Sequence, residues 1–116
     1  MPTRTRRRLR EHTVGLLARK WTLRIAVTLS GDTKRHSELA KCLPGITQKV
    51  LTETLREMER TGIVERFVYP VVPPKVEYKL TEVGLELLKL SKEFTSWFDT
   101  YHENIHKAKR TYDRQR

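Results

Sequence analysis

The clearest pattern of hydrophobic and polar positions lies between residues 47 and 81. Leu51, Leu55 and Met58 recur at the spacing of one helix face, and Thr47 and Gly62 are residue types that begin and end helices. The pattern predicts a helix over about 47–61, then one strand over 64–69 and a second over 76–80. Three prolines that break sheet pairing separate the strands: Pro70, Pro73 and Pro74. A helix followed directly by a stiff β-wing, with its tip at 69–76, is therefore predicted.

The sequence before this region supplies the other helices of a helix-turn-helix. Residues 22–29 are apolar on one side, and Gly31 follows as a stop. Ser37 is predicted to be the N-cap of a helix over 38–43, and Pro44 and Gly45 join it to the next helix by a short turn. The predicted fold is mainly α (α+β): a winged helix-turn-helix with a two-stranded β-wing.

The C-terminal third has the pattern of one long helix. Thr81 is a good N-cap, and we expect a helix over about 82–107, roughly 40 Å long, which exceeds what a small domain can cover. Its apolar side chains follow a spacing of four and three residues, which is typical of helix pairing. We expect a homodimer interface formed by Val14, Leu17, Leu87, Leu90, Phe94, Trp97, Phe98 and Tyr101.

Charge is concentrated at the two ends of the chain. Of 116 residues with a formal net charge of +10, the first ten include five arginines and no acid, and the last ten include five basic residues and one aspartate. Such tails suit contact with phosphate, for which Arg6, Arg7 and Arg8 are candidates. The expected organisation is a basic tail at 1–10, a DNA-binding domain at 11–80, a dimerisation helix at 81–106 and a basic tail at 107–116.

Neither a secretory signal nor a stretch approaching about 18 apolar residues is found, so we expect a cytoplasmic protein without membrane contact. The single cysteine, Cys42, excludes an intramolecular disulfide and fits a reducing compartment.

Polar side chains on the helix at 47–61 are the types that read DNA. Glutamine pairs with adenine, threonine contacts either kind of base, and arginine or lysine contacts guanine or phosphate. The candidate base readers are Gln48, Lys49, Thr52, Glu53 and Arg56, and the candidate backbone contacts beside the N-terminal arginines are Ser37, Thr47, Arg66 and Lys75. The alternative is an ordinary solvated helix face.

Seven ordered segments resemble the HxlR-type winged-helix transcriptional regulators. They are Lys20 to Leu23, Ser37 to Leu39, Leu43 to Thr47, Leu51 to Glu59, Gly62 to Arg66, Val72 to Tyr78 and Leu80 to Gly84. The resemblance covers roughly residues 12–98. It implies a bacterial or archaeal homodimer that binds an operator in double-stranded DNA, and many relatives respond to reactive electrophiles.

The sequence departs from that resemblance at several positions. Redox-sensing relatives carry a cysteine where this chain has Arg8, so that sensor is absent. His36 replaces an aromatic residue and is interpreted as a core or boundary imidazole, with a proton-sensitive site as the alternative. Lys75 replaces an arginine, which favours wing contact with phosphate. Cys42 is interpreted as a small buried hydrophobe, with a sensing thiol as the alternative.

Residues 102–106 match the H-E-x-x-H motif of zinc proteases. Only ten residues follow, so we expect no third ligand and interpret the match as coincidence, with a zinc site of Asp99, His102 and His106 completed by a partner subunit left open. No other catalytic pattern is found, so neither an enzyme nor a cofactor is expected. Protein or RNA binding remains an alternative function, and a small-molecule effector could bind near Trp21 and Tyr101.

Overall fold

The computed structural model describes residues 3–8, 11 and 19–115. Residues 3–8 are helical. From residue 19 onward the elements are α1 (Lys20–Thr28), β1 (Lys34–Arg35), α2 (His36–Cys42), α3 (Gln48–Arg60), β2 (Val64–Tyr69), β3 (Lys75–Leu80) and α4 (Glu82–Arg114). The order of helices followed by a hairpin is that of a winged helix-turn-helix, as the sequence predicted.

The strands form one antiparallel sheet in the order β1-β3-β2. The β2–β3 hairpin pairs from Val64 with Leu80 at its base to Tyr69 with Lys75 at its tip. Val64 and Leu80 are buried while the other β2 residues are exposed, so the wing is anchored at its base and projects into solvent. The two-stranded prediction missed β1, because a strand of two residues is too short to show an alternating pattern.

Both predicted ends of α3 are confirmed. The Thr47 hydroxyl oxygen accepts a hydrogen bond from the Val50 amide at 3.1 Å, which satisfies one free donor of the first turn. At the other end Gly62 has φ of 77°, and the amides of Gly62 and Ile63 donate to the carbonyls of Glu59 and Met58. Both termini of this helix are therefore fixed by hydrogen bonds.

The predicted start of α2 was wrong. The helix begins at His36, so Ser37 lies within its first turn instead of capping it. The N-cap position is Arg35, whose amide donates to the Glu38 carboxylate at 3.0 Å.

The predicted end of the long helix was also wrong. α4 continues through Arg114, so residues 107–114 belong to the helix and are not a separate tail. The prediction ended the helix soon after Ile105, where lysines and arginines become frequent. These are good helix formers, and Ala108 and Tyr112 continue the apolar spacing of three and four residues.

The hydrophobic core lies between α1, α2, α3 and the base of the wing. Leu51, Leu55 and Met58 of α3 are fully buried, as their spacing predicted. They pack with residues from the remaining elements: Ile25, Ala26, Leu29, Leu39, Leu43, Ile63, Val64, Leu80 and Leu88. Burying one face of α3 leaves its opposite face to solvent.

The first turn of α4 is joined to the end of α3. The Thr81 hydroxyl donates to the Gly62 carbonyl at 2.6 Å and accepts from the Gly84 amide at 3.1 Å, while the Thr81 amide donates to the Ile63 carbonyl. Gly84 is buried there, and a Cβ at this position would collide with the Ile63 carbonyl oxygen and the Leu80 side chain. This contact fixes where α4 leaves the domain relative to α3.

We expect Gly84→Ala to lower the free energy of unfolding by about 1–3 kcal/mol, because the added methyl group has to displace backbone. Denaturant unfolding followed by circular dichroism measures the change. Lys92→Ala on an exposed position of the same helix is the control and should leave the midpoint unchanged. Equal midpoints for Gly84→Ala and the natural chain would show that the packing at this contact is looser than described.

Candidate nucleic-acid interface

The exposed face of α3 carries the five predicted base readers. Leu51 and Leu55 point into the core, which leaves the following side chains exposed on the outer side of the helix: Gln48, Lys49, Thr52, Glu53 and Arg56. Gln48, Thr52 and Arg56 follow one another at intervals of four residues and so form a stripe along the helix. The structure thus brings together the side chains that the sequence grouped, and their role in reading bases stays a prediction.

His36 contacts this face from the neighbouring helix. Its Nε2 atom lies 3.1 Å from the Thr52 hydroxyl oxygen, at hydrogen-bond distance. The ring is half-buried, so it lies at the boundary of the domain, as one of the two interpretations expected, and not in the core. The hydrogen bond to Thr52 was not predicted, since the two residues are sixteen positions apart in the chain.

A groove of about 490 Å³ lies between α2 and the start of α3. Ser37 and Gln48 line it, as does Lys41, which the sequence reasoning missed. Lys41 could have been identified as an exposed basic residue in the last turn of α2, where the helix dipole stabilises a positive charge. Thr47 also lines the groove, but its hydroxyl oxygen is engaged as the N-cap of α3.

The wing carries the two predicted backbone contacts Arg66 and Lys75. Arg66 is exposed on β2. The Lys75 ammonium lies 2.8 Å from the Glu77 carboxylate and 5.0 Å from the centre of the Tyr69 ring. Lys75 is therefore partnered by an acid and an aromatic ring within the wing, and a phosphate would have to compete with Glu77 for it. Arg35 lines a small groove together with Lys75 and Glu77, and it is a further candidate for phosphate contact that the sequence analysis missed.

The structure also gives the positions of charged residues in the N-terminal helix and at the end of α3. Arg6, Arg7 and Arg8 are exposed, and Arg7 forms an ion pair with Glu11 at 3.1 Å. At the end of α3 the Glu57 carboxylate hydrogen-bonds the Arg60 guanidinium and raises the pKa of that group above its ordinary value. Because Arg60 is held by Glu57, the cations of the exposed α3 face are Lys49 and Arg56.

The groove beside Trp21 differs from the predicted effector pocket. Its volume is about 590 Å³, and it lies between the start of α1 and α3, with Glu53 and Arg56 among its lining residues. Tyr101 is not among the described residues that line it, so this groove is not the predicted one, and a pocket formed by Trp21 and Tyr101 stays a prediction. The Trp21 ring is partly buried against the hydrophobic core, and the charged groups of Lys20 and Arg24 lie over it.

Cys42 is exposed, so its interpretation as a buried hydrophobe was wrong. It lies at the last position of α2 and lines a groove with Leu43, Pro44 and Phe94. Exposure satisfies one of the conditions for a reactive thiol, and the sensing role stays a prediction.

The H-E-x-x-H residues lie on α4 as an exposed turn. His102 Nδ1 is 3.0 Å from the Asp99 carbonyl oxygen, and the His102 and His106 rings are 6.3 Å apart. Within residues 3–8, 11 and 19–115, no group of three or more potential ligand side chains is positioned to hold a metal. A zinc site would therefore need further ligands, as the prediction of a partner subunit already required.

The predicted dimer residues divide into two groups. Leu90, Phe94, Trp97, Phe98 and Tyr101 are exposed large hydrophobic side chains on α4. Leu87 instead is partly buried against the hydrophobic core, so much of its side chain is used within one chain. Val14 and Leu17 lie outside the described residues.

The fold and the exposed polar face of α3 define a winged helix-turn-helix protein. A family model for HxlR-like helix-turn-helix proteins matches residues 16–106, and the chain belongs to this family. The resemblance seen in the sequence is thereby confirmed.

Relatives of known sequence and known structure agree with membership in this family. The chain is 43% identical over 93 residues to the uncharacterized HTH-type transcriptional regulator YkvN of Bacillus subtilis, covering 80% of this chain and 79% of YkvN. The crystal structure of a putative HTH-type transcriptional regulator ytcD has a TM-score of 0.74 at 41% identity, covering 82% of this chain and 97% of that one.

The reduced form of the transcriptional regulator YodB from B. subtilis has a TM-score of 0.71 at 40% identity, covering 78% and 89% of the two chains. The protein is thus a transcriptional regulator of the helix-turn-helix type.

Across the described residues, every helix is too short or too polar to cross a bilayer.

We expect Thr47→Ala to lower the free energy of unfolding by about 1 kcal/mol, because the Val50 amide loses the cap that starts α3. Thr47→Ser keeps the hydroxyl oxygen and should retain most of the stability. Thermal unfolding of the three chains under one buffer condition provides the comparison, and equal destabilisation by both substitutions would contradict the capping role.

Proposed function

We propose that the protein binds a pseudo-palindromic operator in double-stranded DNA as a homodimer, with α3 in the major groove. The observation that carries this proposal is the exposed polar face of α3, held at both ends by hydrogen bonds while its apolar face is buried. A helix that is fixed at both ends presents its outer side chains at a defined orientation, which base reading requires.

Base selection is assigned to the stripe of Gln48, Thr52 and Arg56, with Lys49 and Glu53 beside it. The amide of Gln48 is suited to adenine and the guanidinium of Arg56 to guanine, while Glu53 can accept from the amino group of cytosine. The stripe extends over the nine residues from Gln48 to Arg56, about 12 Å of helix at roughly 1.5 Å per residue, so it can reach a few successive base pairs.

Phosphate contact is assigned to residues around this stripe. Ser37 and Lys41 of α2 flank it on one side, Arg66 and Lys75 lie on the wing, and the N-terminal arginines supply further positive charge. Lys75 already has Glu77 as a partner at 2.8 Å, so its exchange onto a phosphate gains less than a solvated lysine would. The wing is therefore expected to orient the protein on DNA more than to strengthen binding.

A second copy of the chain is the proposed partner of the exposed face of α4. Phe94 is 68% exposed and Trp97 51%, although both are large apolar side chains. The rings of Phe94, Trp97 and Tyr101 are 6.1 and 5.7 Å apart in sequence order, which makes one continuous aromatic surface. An apolar patch of this kind on a helix marks an interaction surface. Pairing by twofold symmetry would place two α3 helices in major grooves about 34 Å apart.

Selection from randomised duplexes, followed by footprinting, tests the assignment to DNA. We expect a pseudo-palindromic site from the natural chain, and a change of preferred bases for Gln48→Ala and Arg56→Ala. A variant lacking residues 1–10 is the matched control. It should bind all sequences more weakly and show a shallower dependence on salt, with the same preferred site.

Two results would contradict this assignment. Equal affinity for all duplexes would favour the alternative of RNA or protein binding. A larger change of preferred site on deleting residues 1–10 than on Gln48→Ala would mean that α3 is not the reader.

The double variant Phe94→Ala, Trp97→Ala tests the dimer. We expect it to sediment as a monomer and to lose operator binding, because two large apolar side chains are removed from the proposed interface. Glu93→Ala on the same stretch of α4 is the control and should remain dimeric. A double variant that sediments as a dimer would show that another surface holds the two copies together.

A further inference from the structure

We propose that His36 is a positioning residue that determines which bases Thr52 accepts. This inference rests on the proposed function, in which Thr52 lies in the base-reading stripe of α3. The observation behind it is the 3.1 Å contact between His36 Nε2 and the Thr52 hydroxyl oxygen, which joins the first residue of α2 to the middle of α3.

Thr52 occupies the central position of the stripe. Gln48 lies one turn before it and Arg56 one turn after it, and all three side chains are exposed. Thr52 therefore lies on the same surface as the two long polar side chains. His36 is half-buried at the edge of this surface, so it reaches Thr52 from the side of α2 and leaves the outer side of Thr52 open.

A threonine hydroxyl alone discriminates poorly between bases. It carries one hydrogen that it can donate and two lone pairs that can accept, so it matches either kind of base edge. A hydrogen bond to an imidazole nitrogen removes one of these choices. When the nitrogen accepts, the hydroxyl hydrogen is used, and lone pairs remain for the amino groups of adenine or cytosine. When the nitrogen donates, one lone pair is used, and the hydroxyl keeps its hydrogen for the acceptors of guanine or thymine together with one lone pair.

The imidazole therefore makes the Thr52 hydroxyl an acceptor alone when Nε2 accepts, and it fixes the direction of the remaining hydrogen and lone pair when Nε2 donates. It also restricts the rotation of the Thr52 side chain, so that less freedom is lost when DNA binds. His36 would thus act on sequence preference through Thr52 without contacting a base.

The test compares base preferences of full-length chains by selection from randomised duplexes. We expect His36→Phe and Thr52→Val to weaken the preference at one and the same base position, by about three- to tenfold, as for the loss of one hydrogen bond. The double variant should show no larger loss than Thr52→Val alone, since His36 acts only through the Thr52 hydroxyl. His36→Gln, whose side-chain amide can donate through its nitrogen or accept through its oxygen in place of Nε2, should retain part of the preference.

Ser37→Ala is the matched control. Ser37 is the next residue of α2, is exposed, and is assigned to phosphate, so its loss should weaken binding to all sequences alike and leave base preferences unchanged. Circular dichroism melting curves establish that each variant folds. If His36→Phe fails to fold, the comparison of His36→Gln with Thr52→Val decides the matter, because the two must affect the same base position.

The proposal is overturned if a folded His36→Phe chain selects the natural site unchanged, if it binds every sequence more weakly without a change of preference, or if it affects a different position from Thr52→Val. These results differ from failure of the proposed function, in which the natural chain itself selects no site.

Discussion

The hydroxyl of Thr81 forms hydrogen bonds on both sides at the point where α3 and the wing meet the long helix α4. It donates to the carbonyl that follows α3 and accepts from the first turn of α4, and Gly84 allows the two segments to approach. Through this joint the direction of α4 is set by the end of α3. The separation and angle of two α3 helices in a dimer would follow from how α4 pairs, because little freedom exists between the two elements.

Much of this fold can be predicted from the sequence because its elements carry local signals. Thr47, Gly62 and Thr81 mark helix ends with residues that form the expected hydrogen bonds, and the period of Leu51, Leu55 and Met58 identifies the buried face. The prediction was wrong where the signal is not local or not apolar. β1 exists only because β3 lies beside it, and the end of α4 consists mainly of charged residues, among which Ala108 and Tyr112 alone continue the apolar spacing.

The candidate site was predictable in composition but not in its internal contacts. Helical geometry places Gln48, Thr52 and Arg56 on one face as soon as the buried face is known. The contact of His36 with Thr52 and the pairing of Lys75 with Glu77 depend on how separate elements pack, and no spacing rule reports them. The exposure of Cys42 was missed for the same reason, since its surroundings come from α1 and α4.

The unbroken course of α4 to Arg114 changes how the basic residues near its end behave. Lys107, Lys109, Arg110 and Arg114 belong to one helix of 33 residues, about 50 Å long at roughly 1.5 Å per residue. Their charges are carried on a stiff arm whose base is fixed at Thr81, so they cannot sample the surroundings as the charges of a coil do. The backbone at these positions is already ordered by the helix. An anionic partner that binds these side chains therefore does not have to offset the entropy cost of ordering the backbone. The same rigidity limits them to partners that lie where the arm points.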